Sequence, residues 1–250
     1  MRPYYLVLIV VTATACSALA QGGSGRPAPL PIVRADTAAL RRSLDSIGDA
    51  HQGVVGYSVI DLETGARLSR RGDETFPTAS LIKVPILVTV FDLVAKGQLS
   101  LDDPLTVLKI DQVPGSGVIQ YLHNGTILTV SDAAWLMSTI SDNTATNLLL
   151  DRIIIRRVWA KMDSLGLKQT RVHSNYAEGA RAAHKSGETD AVRTECTLWY
   201  LRNRVVACVM TKENKDQRWI LDSEPQLTVA NMGRAIISAF GGVPPAPPSS

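Results

Sequence analysis

The sequence predicts an α+β fold: an antiparallel sheet flanked by helices from the two ends of the chain, with a helical lobe inserted into it. Three observations predict it. A helical stripe is followed at once by two strand-like runs, the middle of the chain is helical, and three more strand candidates precede a closing helix. That order brings both end helices onto one sheet and leaves the middle as an insertion between the second and third strands.

Asp36 to Ala50 carries Leu40, Leu44 and Ile47 at helical spacing, with Asp36 placed to cap. Val54 to Leu62 reads as a strand that turns through Glu63-Thr64-Gly65 into a second, Ala66 to Ser69. Leu81 to Val94 is apolar on every face, and such a helix is expected to be buried all round. Asn124-Gly125 separates Val118–Leu122 from Thr126–Val130 and predicts a hairpin with a type I′ turn. Asn124-Gly125-Thr126 also fits a glycosylation acceptor and Arg71-Gly72-Asp73 an adhesion tripeptide, but short motifs recur by chance and both read better as turns. An amphipathic helix is expected over Ser131–Ile140, and Ser141-Asp142-Asn143 separates it from Thr144–Leu150. Strands follow at Ala180–Ser186, Cys196–Leu201 and Arg204–Thr211, then a helix at Thr228–Phe240.

Residues 1–20 read as a secretory signal: Arg2, the apolar run Tyr4 to Ala15, and Ala18-Leu19-Ala20 before Gln21. The run is short for a membrane span. A lipid anchor at Cys16 is the alternative, giving a lipoprotein in place of a periplasmic or secreted protein. Residues 21–35 are a Gly- and Pro-rich linker, 36–242 the folded domain and 243–250 a disordered tail.

With Cys16 removed, Cys196 and Cys208 remain, and export permits a bridge. A two-residue turn at Arg202-Asn203 pairs Cys196 with Val209 and sends Cys208 to the opposite face, so two buried thiols are expected; only an odd-length turn aligns the sulfurs.

The 250 residues are 45% hydrophobic and 20% charged, with a net charge of +3 spread along the chain. There is no basic block, which argues against nucleic acid and polybasic membrane binding and for a small-molecule partner. His51, His123, His173 and His184 show no ligand spacing, so no metal is expected.

Three short motifs carry chemistry. Ser80-Leu81-Ile82-Lys83 puts a hydroxyl and an amine on one helix face, where the amine can take the serine proton and the helix N-terminus favours a developing alkoxide. A lysine at the head of a buried helix needs a partner or a task. Ser141-Asp142-Asn143 sits between two helices, and by itself reads as a capping cluster. Lys185-Ser186-Gly187 ends a strand, and by itself reads as an exposed turn.

In this order the three resemble the S-x-x-K, S-D-N and K-T/S-G set of class A β-lactamases and penicillin-binding proteins. The runs Phe76 to Ser80 with Lys83-Val84-Pro85, and SDNTATNLLL from Ser141 to Leu150, look like class A sequences too. The resemblance implies Ser80 as nucleophile, Lys83 as its proton partner and Ser141 as proton shuttle to the leaving nitrogen. It also implies Asn143 on the substrate amide and Lys185, Ser186 and Gly187 at the substrate carboxylate. The backbone N–H groups of Ser80 and Glu188 would form the oxyanion hole. Arg193 is a second carboxylate anchor on this reading and a surface charge on the plainer one.

The sequence departs from that family in one respect. Thr144 to His184 is shorter than the family's interval by on the order of sixty residues, beyond ordinary loop variation. The loop glutamate that activates the deacylating water has no matching context. Glu178, at the head of a strand leading into Lys185, would lie on the order of 23 Å from it at about 3.3 Å per residue. Expected from all this is a monomeric serine β-lactam hydrolase without cofactor, acting on a β-lactam or cell-wall peptide. The alternatives are a D-alanyl-D-alanine peptidase or penicillin-binding protein, and a binder that acylates once without turnover.

Overall fold

The structure is a computed structural model that describes residues 31–168, 170 and 186–241. The signal, most of the linker, the tail, the 180–185 strand, Glu178 and Lys185 lie outside the described residues. The described elements belong to the unit Ile32–Ser250.

Helix α1 (Thr37–Ala50) starts where Asp36 accepts a hydrogen bond from the Ala39 N–H, and it buries Leu40 and Leu44 as its stripe requires. Strands β1 (Val54–Asp61) and β2 (Arg67–Arg70) form a hairpin. Its turn is built on the buried Asp61 carboxylate, which accepts from the Glu63 N–H and the Thr64 hydroxyl. Strands β5 (Ser186–Thr189), β6 (Val192–Tyr200) and β7 (Arg204–Lys212) complete an antiparallel sheet of order β2-β1-β7-β6-β5. The first and last strands of the chain thus pair at its centre. Val55, Tyr57, Val59, Val205, Ala207 and Val209 face α1 and α6 (Glu224–Ala239), meeting Leu40, Leu44, Met232, Ile236 and Phe240 in one core. Helix α6 begins four residues before the expected Thr228, with Pro225 in its first turn where a missing N–H costs nothing.

A 3₁₀ turn (Ala79–Ile82) leads into α2 (Lys83–Ala95). Helices α3 (Val130–Thr139), α4 (Asn143–Ile153) and α5 (Ile155–Ser164) gather around it with a two-stranded sheet of β3 (Pro104–Thr106) and β4 (Ile127–Thr129). Ile86, Val90, Leu93, Val130, Met137, Leu149 and Ile153 make this second core. Each such side chain contributes about 1.5–3 kcal/mol by leaving water. α3 opens on a capping box of Thr129 and Asp132. α5 was not legible in the sequence; Ile154, at φ +66°, breaks the helical run and lets it start on a new axis.

Four expectations are corrected. α2 is not buried all round: Val84, Val88 and Phe91 are 42, 37 and 48% exposed along one stripe, which no described element covers. Val118–Leu122 is not a strand but a short 3₁₀ turn at Ile119–Tyr121. The Val118 and Ile119 N–H groups donate to Asp142 rather than to a ladder. Asn124-Gly125 is still a turn, but only Gly125 has positive φ, and β4 pairs with β3 instead. Cys196 and Cys208 are bridged: the turn after Tyr200 has three residues, Leu201 to Asn203, so Cys196 falls opposite Cys208 and both sulfurs share a face.

Candidate active site

The segment before Ser80 is fastened to the sheet from several sides. The Phe76 ring lies on Gly56 of β1 so closely that a Cβ there would come within 2.7 Å of it. Lys212 of β7 stands 4.8 Å over that ring, pairs with Glu74 at 2.7 Å and donates to the Thr75 carbonyl. The Thr194 hydroxyl of β6 donates to the Thr78 carbonyl. Ala79, at φ +44°, then turns the chain sharply and delivers Ser80 into the 3₁₀ turn, which packs against β5 and β6. A β-carbon residue held there stores strain of about 1–3 kcal/mol, a cost that recurs where a side chain must be presented.

Ser141 shows the same signature, at φ +57° between α3 and α4. This conformation turns both its carbonyl and its hydroxyl toward Lys83. Nζ of Lys83 lies 2.6 Å from the Ser141 carbonyl, 2.8 Å from its Oγ, 2.8 Å from Asn143 Oδ1 and 3.1 Å from Ser80 Oγ. Ser80, Lys83, Ser141 and Asn143 are all buried, Lys83 at 2% exposure. Burial pushes the lysine down to about 7, against a partial opposing pull from the Asp142 charge.

The proton count follows from the partners. The Ser141 carbonyl and Asn143 Oδ1 only accept, so they hold two of the lysine's N–H bonds. Ser80 Oγ and Ser141 Oγ lie within hydrogen-bond reach of the same nitrogen. In the neutral amine a lone pair turned toward them can take the Ser80 proton, and Ser141 can relay it. A neutral lysine near pH 7 is therefore a base aimed at a serine.

The structure thus brings Ser80, Lys83, Ser141 and Asn143 together. Ser186 and Gly187 are the first two residues of β5, and Lys185 is outside the described residues. Glu188 turns its side chain away, accepting from Gln226 of α6 at 2.7 Å, which leaves only its main chain for the site. Arg193 is corrected on both readings. It is 1% exposed, hence no surface charge. Its guanidinium donates to the Thr189, Val192 and Arg218 carbonyls and stacks 4.9 Å from the Trp219 ring, on the opposite side of β6 from Thr194. It does not face Ser80. Sequence reasoning missed Asp142, whose D in S-D-N was the only signal.

A buried Ser–Lys pair with a second serine on the same nitrogen, set between an antiparallel sheet and a helical lobe, is a class of site that can support serine acyl transfer. The comparisons agree with that class: residues 39–178 and 171–240 match the model of the β-lactamase enzyme family, and the chain belongs to it. It is similar to a β-lactamase of Rhodobacter capsulatus, 32% identical over 46% of this chain and 39% of that protein. It is also similar to β-lactamase AER-1 of Aeromonas hydrophila, 25% identical over 78% of this chain and 65% of that one. The chain therefore spans between about two fifths and two thirds of the length of these curated relatives. Among solved structures, a variant of PBP-A captured as an acyl-enzyme complex with penicillin G superimposes with a TM-score of 0.71 at 24% identity, covering 84% of this chain and 99% of that one, which shows the shared fold.

Proposed function

We propose that this chain is an exported serine hydrolase that opens β-lactams through an acyl-enzyme on Ser80. The observation that carries the reading is the Lys83 nitrogen held on both Ser80 and Ser141 in a buried site that keeps it near neutrality. In acylation, Ser80 Oγ bonds to the lactam carbonyl carbon while its proton passes to Lys83. The C–N bond then breaks, and Ser141 hands a proton to the nitrogen as it recovers one from the lysine. The Ser80 and Glu188 N–H groups would hold the oxyanion, Asn143 the substrate amide, and Lys185 with Ser186 and Gly187 the carboxylate. The Cys196–Cys208 bridge suits the oxidising compartment that the N-terminal signal implies.

Water then cleaves the ester and frees Ser80. The Asp142 carboxylate is spent on backbone N–H groups, so it offers no base for that water. The sequence offers no glutamate in a matching context for it either, and without general-base assistance, worth about 10² to 10⁴-fold, release would be slow. Intact mass after mixing with a penicillin, followed over time, tests this: one equivalent of adduct on the wild type that decays slowly, and none on Ser80→Ala. Labelling of Ser80→Ala sinks the assignment. Rapid turnover shows another base at work, peptide release indicates a peptidase, and an adduct that never decays a binder.

A further inference from the structure

Glu74 to Thr78 form a strap between β2 and the turn that presents Ser80. The strap is held from the face of the sheet opposite α1 and α6. Val55, Tyr57, Val205, Ala207 and Val209 point to those helices, so Gly56, Met210 and Lys212 point the other way, as Thr194 does on β6. Gly56, Lys212 and Thr194, one each from β1, β7 and β6, all grip the strap.

The grips differ in kind. Gly56 gives only room, its missing side chain letting the Phe76 ring come down onto the strand. Thr194 gives one hydrogen bond, to the Thr78 carbonyl at 3.2 Å. Lys212 holds three consecutive residues through one nitrogen. Its Nζ lies 2.7 Å from Glu74 Oε1, donates to the Thr75 carbonyl at 3.1 Å and stands 4.8 Å from the centre of the Phe76 ring. Two of the ammonium's three donors are thereby used on the strap, and the ring attracts the cation as well. An exposed lysine–glutamate pair by itself contributes little. This lysine side chain is only 19% exposed, and the second carboxylate oxygen of Glu74 is tied to Arg71 at 2.9 Å. Lys212 first and Arg71 second hold the Glu74 carboxyl below the usual carboxylate range, so it stays charged through neutral pH.

We propose, on the acyl-transfer reading above, that Lys212 is a positioning residue for Ser80: its ammonium pins Glu74, Thr75 and Phe76 to the sheet and so fixes the line along which the chain enters the turn at Ala79. The need for the grip comes from that turn. Ala79 adopts φ +44°, a conformation that a residue with a β-carbon leaves unless its neighbours hold it. Just beyond it, Ser80 Oγ has to stay 3.1 Å from the Lys83 nitrogen. Pro77, whose ring fixes φ, carries the hold on Phe76 through to Thr78. Lys212 thus acts through the chain and not on the substrate.

Lys212→Met keeps the stem and removes the ammonium, whereas Lys212→Arg keeps a cation able to pair with Glu74 and stack on Phe76. Penicillin acylation, split into its binding and chemical steps, reads the function. NMR signals of labelled Phe76, one of three phenylalanines in the chain, read the grip. Hydrogen exchange of the Leu81 amide, which donates to the Thr78 carbonyl, reads the turn. Expected for Lys212→Met is acylation slowed by about 10–100-fold, the scale of a small misplacement, with penicillin binding changed less than about threefold. The Phe76 signals should shift, Leu81 exchange should quicken, and Lys212→Arg should recover most of the lost rate. Lys212→Met acylating at the wild-type rate overturns the proposal. So does a loss confined to binding, which would make Lys212 a substrate contact, and so does a Lys212→Arg variant as slow as Lys212→Met. If Lys212→Met fails to fold, Glu74→Ala takes its place, since that side chain is one-third exposed; slower acylation with binding unchanged supports the proposal there, and an unchanged rate overturns it. A wild type that takes no penicillin defeats the acyl-transfer reading instead, while the Phe76 signals and Leu81 exchange in the variants still judge the strap.

Discussion

The two sides of α2 have opposite fates. Toward the lobe interior, Ile86 and Val90 are fully buried and Lys83, at the head of the same side, reaches two residues of the next lobe segment, Ser141 and Asn143. Toward the outside, Val84, Val88 and Phe91 stand partly in water at the four- and three-residue spacing of a packing stripe, and Trp135 of α3 is exposed beside them across a groove lined by Leu87, Phe91 and Leu101. The chemistry therefore rests on the enclosed side, and the outer side can be altered without reaching it.

The strongest way to break this contrast is through the lysine. Lys83→Met keeps the stem and removes the base, and penicillin acylation should fall by about 10²-fold or more, as loss of general-base assistance does. Wild-type acylation should rise with pH through about 7, because Lys83 acts as a base only after losing its proton. A pH-independent rate from 5 to 9 would assign the proton to another group.

Packing should discriminate next. Ile86→Ala removes a fully buried side chain and should cost about 2–5 kcal/mol in urea unfolding, whereas Val88→Thr on the exposed stripe should cost under about 1 kcal/mol. Equal losses would mean that something covers the stripe in solution. Reducing Cys196–Cys208, which closes a loop of twelve residues, should lower stability by up to about 3 kcal/mol while leaving Lys83 titration unchanged. The smallest functional effect is expected for Phe91→Gln, which should raise solubility and leave the acylation rate within about two-fold, since single exposed substitutions are nearly neutral.

Periodicity was enough to read α1 from the sequence, because it buries one face against a neighbouring layer and writes that face into its residues. The Asn124-Gly125 turn signal misled at Val118–Leu122, where it suggested a hairpin strand but the N–H groups had a carboxylate waiting elsewhere in the chain. Composition also misled at α2: apolar residues all round say what a helix would bury, not whether a partner is present to bury it.

By itself, the sequence determined the α+β class, and its three motifs, through their resemblance to a known family, pointed to Ser80, Lys83, Ser141 and Asn143. The tertiary structure decided the rest. The three-residue turn set the register that joined Cys196 to Cys208, the face of β6 turned Arg193 away from the site, and burial moved Lys83 toward neutrality. The physical reason is common to all three: register, facing and desolvation depend on which distant segments meet, and no local pattern of residues records that meeting.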